Sequence, residues 1–329
     1  MKLVVMKFGG TSVGSIDKIN NVANIVEKQL NDKKLIVVLS AMSGVTNKMQ
    51  EYIDEIESNE IIENDLILTS GEAVSVGLLS AILKKRNIKS IPLLGWQIPI
   101  ITDSNHQKAK ILNIDKIRIY QYLKDYDVIV VAGFQGVDIN GNITSLGRGG
   151  SDTTAVAVAS ATNAERCDIY TDVDGVYTAD PKIVPNAKRL NFITMEEMLE
   201  MLGQGAKVIQ VRAVEFANKY KVPVRVLSSF KSGSGTLIKK LKENDMENAI
   251  VTGIAFQKDQ IKYTLHGIKD VPGIAYGILG PLGKANIIVD IIVQNISVNG
   301  ITDFTFTISK EDEIAATKII KSLKNAIEF

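Results

Sequence analysis

The sequence predicts an α/β protein whose larger part is a three-layer α/β/α sandwich with a mainly parallel central sheet. Apolar runs such as Leu35–Leu39 are continuous rather than alternating, as in strands that are covered on both faces. These runs alternate along the chain with segments of helical periodicity, which is typical of parallel βαβ units. Beyond residue 250 the order changes to strand, strand, helix, strand, strand, helix, which predicts a smaller α+β unit.

The elements of the larger part follow from the periodicity in chain order. A β-prone run at 2–8 ends in Gly9-Gly10, and apolar residues then recur at helical spacing to residue 30. The strand at 35–39 follows. The sequence then predicts a helix near 65–85, a strand near 88–94, a helix near 108–124, a strand at 127–131, an Asn140-Gly141 hairpin, a helix near 151–162, a strand near 166–170, helices near 195–201 and 205–220, and a strand at 222–227.

Polar stretches at 228–235 and 239–245 are interpreted as connectors between two domains, 1–245 and 246–329. A length of 329 residues supports this division, because one hydrophobic core rarely serves a chain so long. The second domain is expected to contain strands at 251–256 and 261–266, a helix at 273–285, strands at 287–293 and 301–308, and a helix at 311–325.

Composition excludes several classes of partner. Lys plus Arg at 38 against Asp plus Glu at 37 leaves a net charge of +1, so no overall field attracts nucleic acid or an anionic membrane. A single cysteine, Cys167, excludes an intramolecular disulfide framework. The sequence predicts neither a signal peptide nor a membrane span, and we expect a cytoplasmic protein without nucleic-acid or membrane partners.

Two glycine-rich segments are candidate ligand sites. Lys7–Ser12 joins a strand to a helix, where free N–H groups and the helix dipole favour a phosphate. Ser15 stands where a Walker A motif requires lysine, and no G-x-G-x-x-G follows a strand, so both common nucleotide motifs are rejected. In Gly147–Thr154, Arg148 offers a bidentate fork for a carboxylate, and Ser151 and Asp152 are expected to cap the next helix.

A loop after the strand near 166–170 contains acidic, aromatic and basic residues, from Tyr170 to Lys182, at the usual ligand edge of an open α/β sheet. The two histidines, His106 and His266, are interpreted as surface or strand-end residues rather than catalysts. Without a histidine base, the expected reaction is one whose nucleophile needs no deprotonation, such as a carboxylate that attacks a phosphate.

Five segments, in this order, resemble the aspartate kinases, a family with the amino-acid-kinase fold: Lys7–Val13, Ser40–Asn47, Ser70–Glu72, Gly147–Thr154 and Tyr170–Tyr177. The segments Asp270–Ala275 and Val293–Asn295 resemble the ferredoxin-like ACT regulatory domain of that family. The family usually has two ACT units in tandem, so we expect an incomplete regulatory region without the second unit.

The resemblance implies ATP- and Mg²⁺-dependent phosphorylation of the L-aspartate side chain to 4-phospho-L-aspartate, the first step toward lysine, threonine and methionine. It implies catalytic roles for Lys7 and Asp152, and no dedicated metal ligands. The implied ATP-binding residues are Lys7, Phe8, Gly9, Gly10, Ser12, Ser40, Thr171, Asp172, Tyr177, Asp180, Lys182, Lys207 and Val208. The implied aspartate-binding residues are Thr46, Glu72, Arg148, Gly149, Gly150 and Ser151.

A lysine or threonine effector is the corresponding expectation for the second domain, at Asp270, Gly273, Ile274, Ala275, Gln294 and Asn295. Pro272-Gly273 is expected to open a helix whose N–H groups receive the effector's carboxylate. A homodimer or larger assembly is expected, because the apolar strand at 288–293 belongs to a sheet without a fourth strand.

Three other functions compete with this hypothesis. A sister kinase that acts on glutamate or N-acetylglutamate is disfavoured by the ACT-like unit and by Ser70-Gly71-Glu72. An inactive amino-acid sensor is disfavoured by the presence of Lys7, Arg148 and Asp152. A dinucleotide-dependent reductase lacks its glycine fingerprint.

Overall fold

The computed structural model of the protein describes residues 2–31, 33–240, 252–295 and 300–323. Contacts divide the chain into two units, Met1–Ala255 and Phe256–Phe329, and each is described by itself. The strands of the larger unit are β1 (Lys2–Phe8), β2 (Lys33–Leu39), β3 (Ser90–Leu93), β4 (Ile100–Thr102), β5 (Ile111–Ile114), β6 (Val128–Ala132), β7 (Gln135–Val137), β8 (Ile143–Ser145), β9 (Arg166–Thr171), β10 (Phe192–Thr194), β11 (Val224–Ser228) and β12 (Thr236–Lys239). Its helices are α1 (Ile16–Gln29), α2 (Val45–Glu55), α3 (Ile61–Leu68), α4 (Ser70–Lys85), α5 (Lys116–Asp125), α6 (Gly150–Ala161), α7 (Met195–Gly203) and α8 (Val211–Tyr220).

An eight-stranded sheet forms the middle layer of the larger unit, in the order β10-β12-β11-β9-β1-β2-β6-β3. The six strands from β11 to β3 are parallel to their neighbours, whereas β12 runs antiparallel to β11. Side chains of α1 and α4 pack on one face, and those of α5, α6, α7 and α8 pack on the other. The predicted fold class, a sandwich around a mainly parallel sheet, is confirmed.

Burial explains why the central strands read as continuous apolar runs. Leu35–Leu39 of β2 and Val128–Ala132 of β6 are buried along their whole length, because helices cover both faces of the sheet. Helix α6 is buried from Gly150 to Ala159, and its small side chains let it approach the sheet closely. The core therefore lies on both sides of the strands that end at the candidate site.

A second sheet, with the order β5-β4-β7-β8, contains the Asn140-Gly141 hairpin that the sequence predicts. The helix predicted over 108–124 is wrong in its first half, where Ile111–Ile114 forms β5. Helix α5 begins only at Lys116, because the Asp115 carboxylate caps it by accepting the N–H groups of Ile117 and Arg118.

Three further predictions need correction. The helix predicted from residue 205 begins at Val211. The polar stretch at 228–235 is a connection within the larger unit, because β12 follows it and pairs with β11. The strand predicted at 251–256 is not formed over its described residues, where the Ile254 N–H instead donates to the Thr178 carbonyl at 2.8 Å. Most of the second predicted connector lies outside the described residues.

The smaller unit contains β13 (Gln260–Lys269), α9 (Ile274–Lys284), β14 (Val289–Gln294), β15 (Ile301–Ser309) and α10 (Glu313–Leu323). Its sheet is antiparallel with β15 in the middle. Alternate side chains of β15, including Phe304 and Phe306, form the core with Ile278 and Leu282 of α9. Strand β14 is an edge strand, and the side chains of Ile291, Ile292 and Val293 are about half exposed.

The stretch Ile61–Lys85 is the one helical region of the described residues that is long and apolar enough to cross a membrane. Half of its most apolar window is buried inside the fold. It comprises α3 and α4, whose side chains Leu79 and Leu83 pack against the central sheet. Packing in a protein core accounts for its apolar character.

Candidate active site

The candidate site lies at the carboxyl edge of the central sheet. Strands β1, β2, β6, β9 and β11 are parallel, so the loops that follow them meet at one edge. Backbone hydrogen bonds join these loops: the Ser40 N–H donates to the Phe8 carbonyl at 3.2 Å, and the Ser229 N–H to the Thr171 carbonyl at 2.9 Å. Three of the predicted motifs are thereby brought to a common edge.

A buried ion pair occupies this edge. Lys7, near the end of β1, places Nζ 2.6 Å from Oδ1 of Asp152, in the first turn of α6. The two side chains are only 12% and 9% exposed, so their attraction is weakly screened by water. The pair holds the lysine ammonium beside the glycine turn, where a Cβ on Gly9 would lie 3.4 Å from Nζ.

The glycine turn packs closely against the loop after β2. Gly10 accepts the Ser43 N–H at 3.2 Å through its carbonyl, and a Cβ on Gly10 would lie 2.9 Å from the Ala41 carbonyl oxygen. Glycine is therefore required here by close approach rather than by an unusual φ. Ser12, one of the predicted ATP-binding residues, is buried with its hydroxyl 2.6 Å from that of Ser229.

The start of α6 differs from the sequence prediction. The N-cap is Gly149, which has a φ of 71° and makes no side-chain cap bond, so the prediction that Ser151 and Asp152 cap the helix is wrong. Both residues already lie inside the first turn and point across the site. The Ser40 hydroxyl lies 3.0 Å from the Ser151 hydroxyl, and Asp152 pairs with Lys7.

Glu72 is a buried carboxylate with a hydrogen bond to only one of its two oxygens. It is 2% exposed, and its Oε1 accepts the Ala41 N–H at 3.0 Å. Its Oε2 has no hydrogen-bond partner among the described residues. Burial raises the pKa of Glu72 to about 7, although the Ala41 N–H opposes that rise. Because buried polar atoms are nearly always paired, this oxygen is a candidate acceptor for a donor of a bound molecule.

Arg148 and Thr46 lie on the adjoining loops. Arg148 is exposed between Gly147 and Gly149, both in the left-handed region, and forms no ion pair with any residue that the structure describes. Its guanidinium fork is thus free for an anion. Thr46 is half-buried in the first turn of α2, and Gly150 is enclosed by Leu146 and Phe134.

The predicted nucleotide residues occupy the long loop between β9 and β10. The Thr171 hydroxyl donates to Asp172 at 3.0 Å, and Asp180 accepts the Lys182 N–H at 2.9 Å. The Tyr177 hydroxyl donates to Asp174 at 2.9 Å, and this bond raises the pKa of the tyrosine.

Lys207 and Val208 lie outside this loop, in the segment before α8. Lys207 is exposed, and Val208 packs on the core. Within the described part of the chain, neither the loop nor this segment forms a side-chain hydrogen bond or an ion pair with Lys7.

Sequence reasoning missed a buried carboxylate beside the site. Asp65 of α3 has no exposed surface and accepts hydrogen bonds from the Ser145 N–H at 3.0 Å, the Ser145 hydroxyl and His106 Nδ1 at 2.8 Å. The prediction that His106 lies at the surface is wrong, since its side chain is 4% exposed. An aspartate within an apolar helix was the available signal.

The predicted effector residues lie at one end of the smaller unit. Gln294 donates to Asp270 at 3.3 Å, and the Asn295 N–H donates to the Asp303 carbonyl. Gly273, with a φ of 91°, is the N-cap of α9. Pro272 therefore lies directly before the N-cap, and the helix begins after Pro272-Gly273. Ile274 and Ala275 pack against the core of this unit.

The fold and the Lys7–Asp152 pair at its carboxyl edge define an α/β phosphotransferase of the amino acid kinase class. The model of the amino acid kinase family matches residues 2–228. An aspartate kinase of Pseudomonas putida is 52% identical over 329 residues, which cover 99% of this chain and 80% of that protein. The chain belongs to the amino acid kinase family and, within it, to the aspartate kinases.

Solved structures agree with this assignment. Aspartokinase III of Escherichia coli matches with a TM-score of 0.79 at 27% identity in complex with lysine and aspartate, over 100% of this chain and 84% of that chain. Its complex with aspartate and ADP matches with a TM-score of 0.74 at 28% identity, over 94% and 79%. The aspartate kinase of Synechocystis matches with a TM-score of 0.68 at 36% identity, over 98% of this chain and 55% of that one.

Proposed function

We propose that the protein transfers the γ-phosphoryl group of ATP to the side-chain carboxylate of L-aspartate and forms 4-phospho-L-aspartate, the first step toward lysine, threonine and methionine. The Lys7–Asp152 pair is the observation that supports phosphoryl transfer most directly. The 52% identity to the P. putida aspartate kinase supports aspartate as the substrate. The aspartate and ADP complex of the E. coli enzyme supports both ligands.

Lys7 and Asp152 are the proposed catalytic pair. Phosphoryl transfer depends mainly on alignment and on the neutralisation of developing negative charge. The Lys7 ammonium supplies that charge beside the N–H groups of the Gly9-Gly10 turn, and Asp152 fixes the position of Nζ. The attacking side-chain carboxylate is already ionised at neutral pH, so the reaction needs no general base.

The substrate is proposed to bind between Glu72 and the loop that contains Arg148. An aspartate ammonium would donate to Glu72 Oε2, the oxygen that has no partner among the described residues. The Arg148 fork would bind a substrate carboxylate in a bidentate manner, because no described acidic residue occupies it. Thr46, Gly149, Gly150 and Ser151 would complete the pocket.

ATP is proposed to bind along the carboxyl edge, from the glycine turn to the loop after β9. The proposed contacts are Phe8, Gly9, Gly10, Ser12, Ser40, Thr171, Asp172, Tyr177, Asp180, Lys182, Lys207 and Val208. Among the described residues, no group of three or more His, Cys, Asp or Glu side chains could hold a metal. Mg²⁺ does not need such a group, because it is commonly held by substrate phosphates with one or two carboxylates, and it would neutralise phosphate charge when bound. Asp172 and Asp180 are the exposed carboxylates of the proposed ATP site that we propose for it.

Regulation is proposed to reside in the smaller unit, as an ACT-like domain within 246–329 attached to a catalytic domain within 1–245. Lysine or threonine would bind at the Asp270–Gln294 pair, with Asp270 facing the effector's ammonium. The lysine complex of the E. coli enzyme supports this class of effector. The exposed edge of β14 would pair with a second copy, which makes the protein a homodimer or larger.

One assay separates this proposal from its alternatives. ADP release is measured over a panel of amino acids, and hydroxylamine traps any acyl phosphate as a hydroxamate. We expect ADP release and hydroxamate formation with aspartate. Product from glutamate or N-acetylglutamate alone would assign a sister kinase, whereas calorimetric amino-acid binding without ADP release would assign a sensor.

A further inference from the structure

Arg212, in the first turn of α8, joins two loops that are distant from each other in sequence. Its Nη1 donates to the Leu146 carbonyl at 2.6 Å, and its Nη2 donates to the Ala109 carbonyl at 2.7 Å. Leu146 directly precedes the loop that contains Arg148, and Ala109 belongs to the loop packed behind it. One guanidinium therefore fixes the spacing of both backbones through two charge-assisted hydrogen bonds.

The Arg148 loop has no room to shift between these neighbours. A Cβ on Gly149 would overlap Cγ of Gln210, and a Cβ on Gly147 would lie 2.9 Å from the Gln107 carbonyl oxygen. Both glycines have a positive φ, 75° at Gly147 and 71° at Gly149. The loop is thus held between the 105–109 segment and the start of α8.

The 105–109 segment is itself held in place by hydrogen bonds. Asp65 accepts the Gln107 N–H at 3.2 Å and the Ser145 N–H at 3.0 Å, so the strand before Leu146 and the segment before Ala109 share one buried carboxylate. Arg212 holds the same two segments through Leu146 and Ala109. Asp65 and Arg212 together therefore join the backbone directly before the glycine loop to the 105–109 segment.

We propose that Arg212 is a positioning residue that sets the orientation of the Arg148 loop and thereby the affinity for the amino-acid substrate. The inference rests on the proposed substrate role of Arg148. Arg212 acts through the carbonyls of Leu146 and Ala109 and has no role in the chemical step. A lysine at this position has a single charged nitrogen and cannot reproduce the planar fork.

The test compares Arg212→Lys and Arg212→Gln with the control Arg86→Gln. Arg86 also joins two elements, α4 and α1, through Asn24 and the Asn20 carbonyl, but it follows the C-terminus of α4. We expect the KM for aspartate to rise about tenfold in both Arg212 variants, the effect of losing one hydrogen bond of a charged group. We expect a kcat within about threefold of wild type and a KM for ATP that changes much less than the KM for aspartate. The control Arg86→Gln should keep the wild-type kcat and both wild-type KM values.

An unchanged KM for aspartate in a folded Arg212→Gln protein would overturn the proposal, as would equal rises in both KM values. Should both Arg212 variants fail to fold, Gln210→Ala removes the wall beside Gly149, and the same selective rise in the KM for aspartate is expected. If the wild-type protein phosphorylates a different amino acid, the proposed function fails, and the Arg212 comparison is made with that substrate.

Discussion

Replacement of Glu72 by glutamine is expected to weaken substrate binding and to stabilise the fold at alkaline pH. The native carboxyl is 2% exposed, and its Oε2 is unpaired among the described residues. Ionisation of such a group is costly, which is why burial raises its pKa from 4.5 to about 7. Glutamine keeps an acceptor for the Ala41 N–H but carries no charge.

The pH dependence follows from proton linkage. Between pH 4.5 and about 7 the native Glu72 binds more proton than the unfolded one, so the free energy of unfolding falls as pH rises through this window. A shift of this size corresponds to about 3 kcal/mol. The wild-type protein lacks that stabilisation above pH 7, whereas Glu72→Gln does not titrate. Since pH 5 already lies inside this window, the variant should gain about 2.5 kcal/mol relative to wild type between pH 5 and pH 8.

Urea unfolding of both proteins at pH 5 and pH 8 measures this difference. Trp96, the single tryptophan, lies in the larger unit and reports its unfolding by fluorescence. Other titrating groups contribute equally to both proteins and cancel in the comparison. The KM for aspartate should rise in the variant while the KM for ATP changes little. The reasoning is refuted if the free energy of unfolding has the same pH dependence in the wild type and the variant, because Glu72 would then be ionised at no cost in the native state.

Three further outcomes are expected. Lys7→Ala should lower kcat about 100-fold or more with circular dichroism unchanged, because a charge partner of the transition state is lost; wild-type turnover would mean that the phosphate site lies elsewhere. Arg148→Lys should raise the KM for aspartate far more than that for ATP, and equal rises would assign Arg148 a role in the fold. Sedimentation should give a dimer or larger assembly, and calorimetry should detect binding of lysine or threonine. A monomer that binds neither amino acid would contradict the proposed regulatory site.

The central sheet could be predicted because burial on both faces leaves a local signature. Strand β2 is apolar from Leu35 to Leu39 and strand β6 is apolar at every position, so the sequence alone indicates that they are strands with parallel neighbours. Strands β10 and β12 have three and four residues, too few for a period to emerge, and α7, α8 and β11 separate them along the chain. The polar stretch before β12 consequently looked like a linker.

The site was predictable at the level of loops but not of contacts. The rule that carboxyl ends of parallel strands share an edge brings together the loops after β1, β2 and β9. Asp152 instead follows β8 of the second sheet, and its pairing with Lys7 depends on how α6 begins. Ser151 and Asp152 have the local character of caps, and the left-handed Gly149 takes that position instead. The Arg212 bonds reach loops distant in sequence, for which no local pattern exists.

The two buried charges of the site differ in what each needs from a ligand. Asp152 is compensated by Lys7, whose Nζ lies 2.6 Å from its Oδ1, before any substrate binds. Glu72 has no such partner among the described residues, so an arriving cation stabilises its ionised form. A free amino acid brings that cation in its ammonium, whereas an N-acylated one does not. Under the proposed binding mode, Glu72 therefore selects against N-acetylglutamate through the cost of a buried, uncompensated carboxylate.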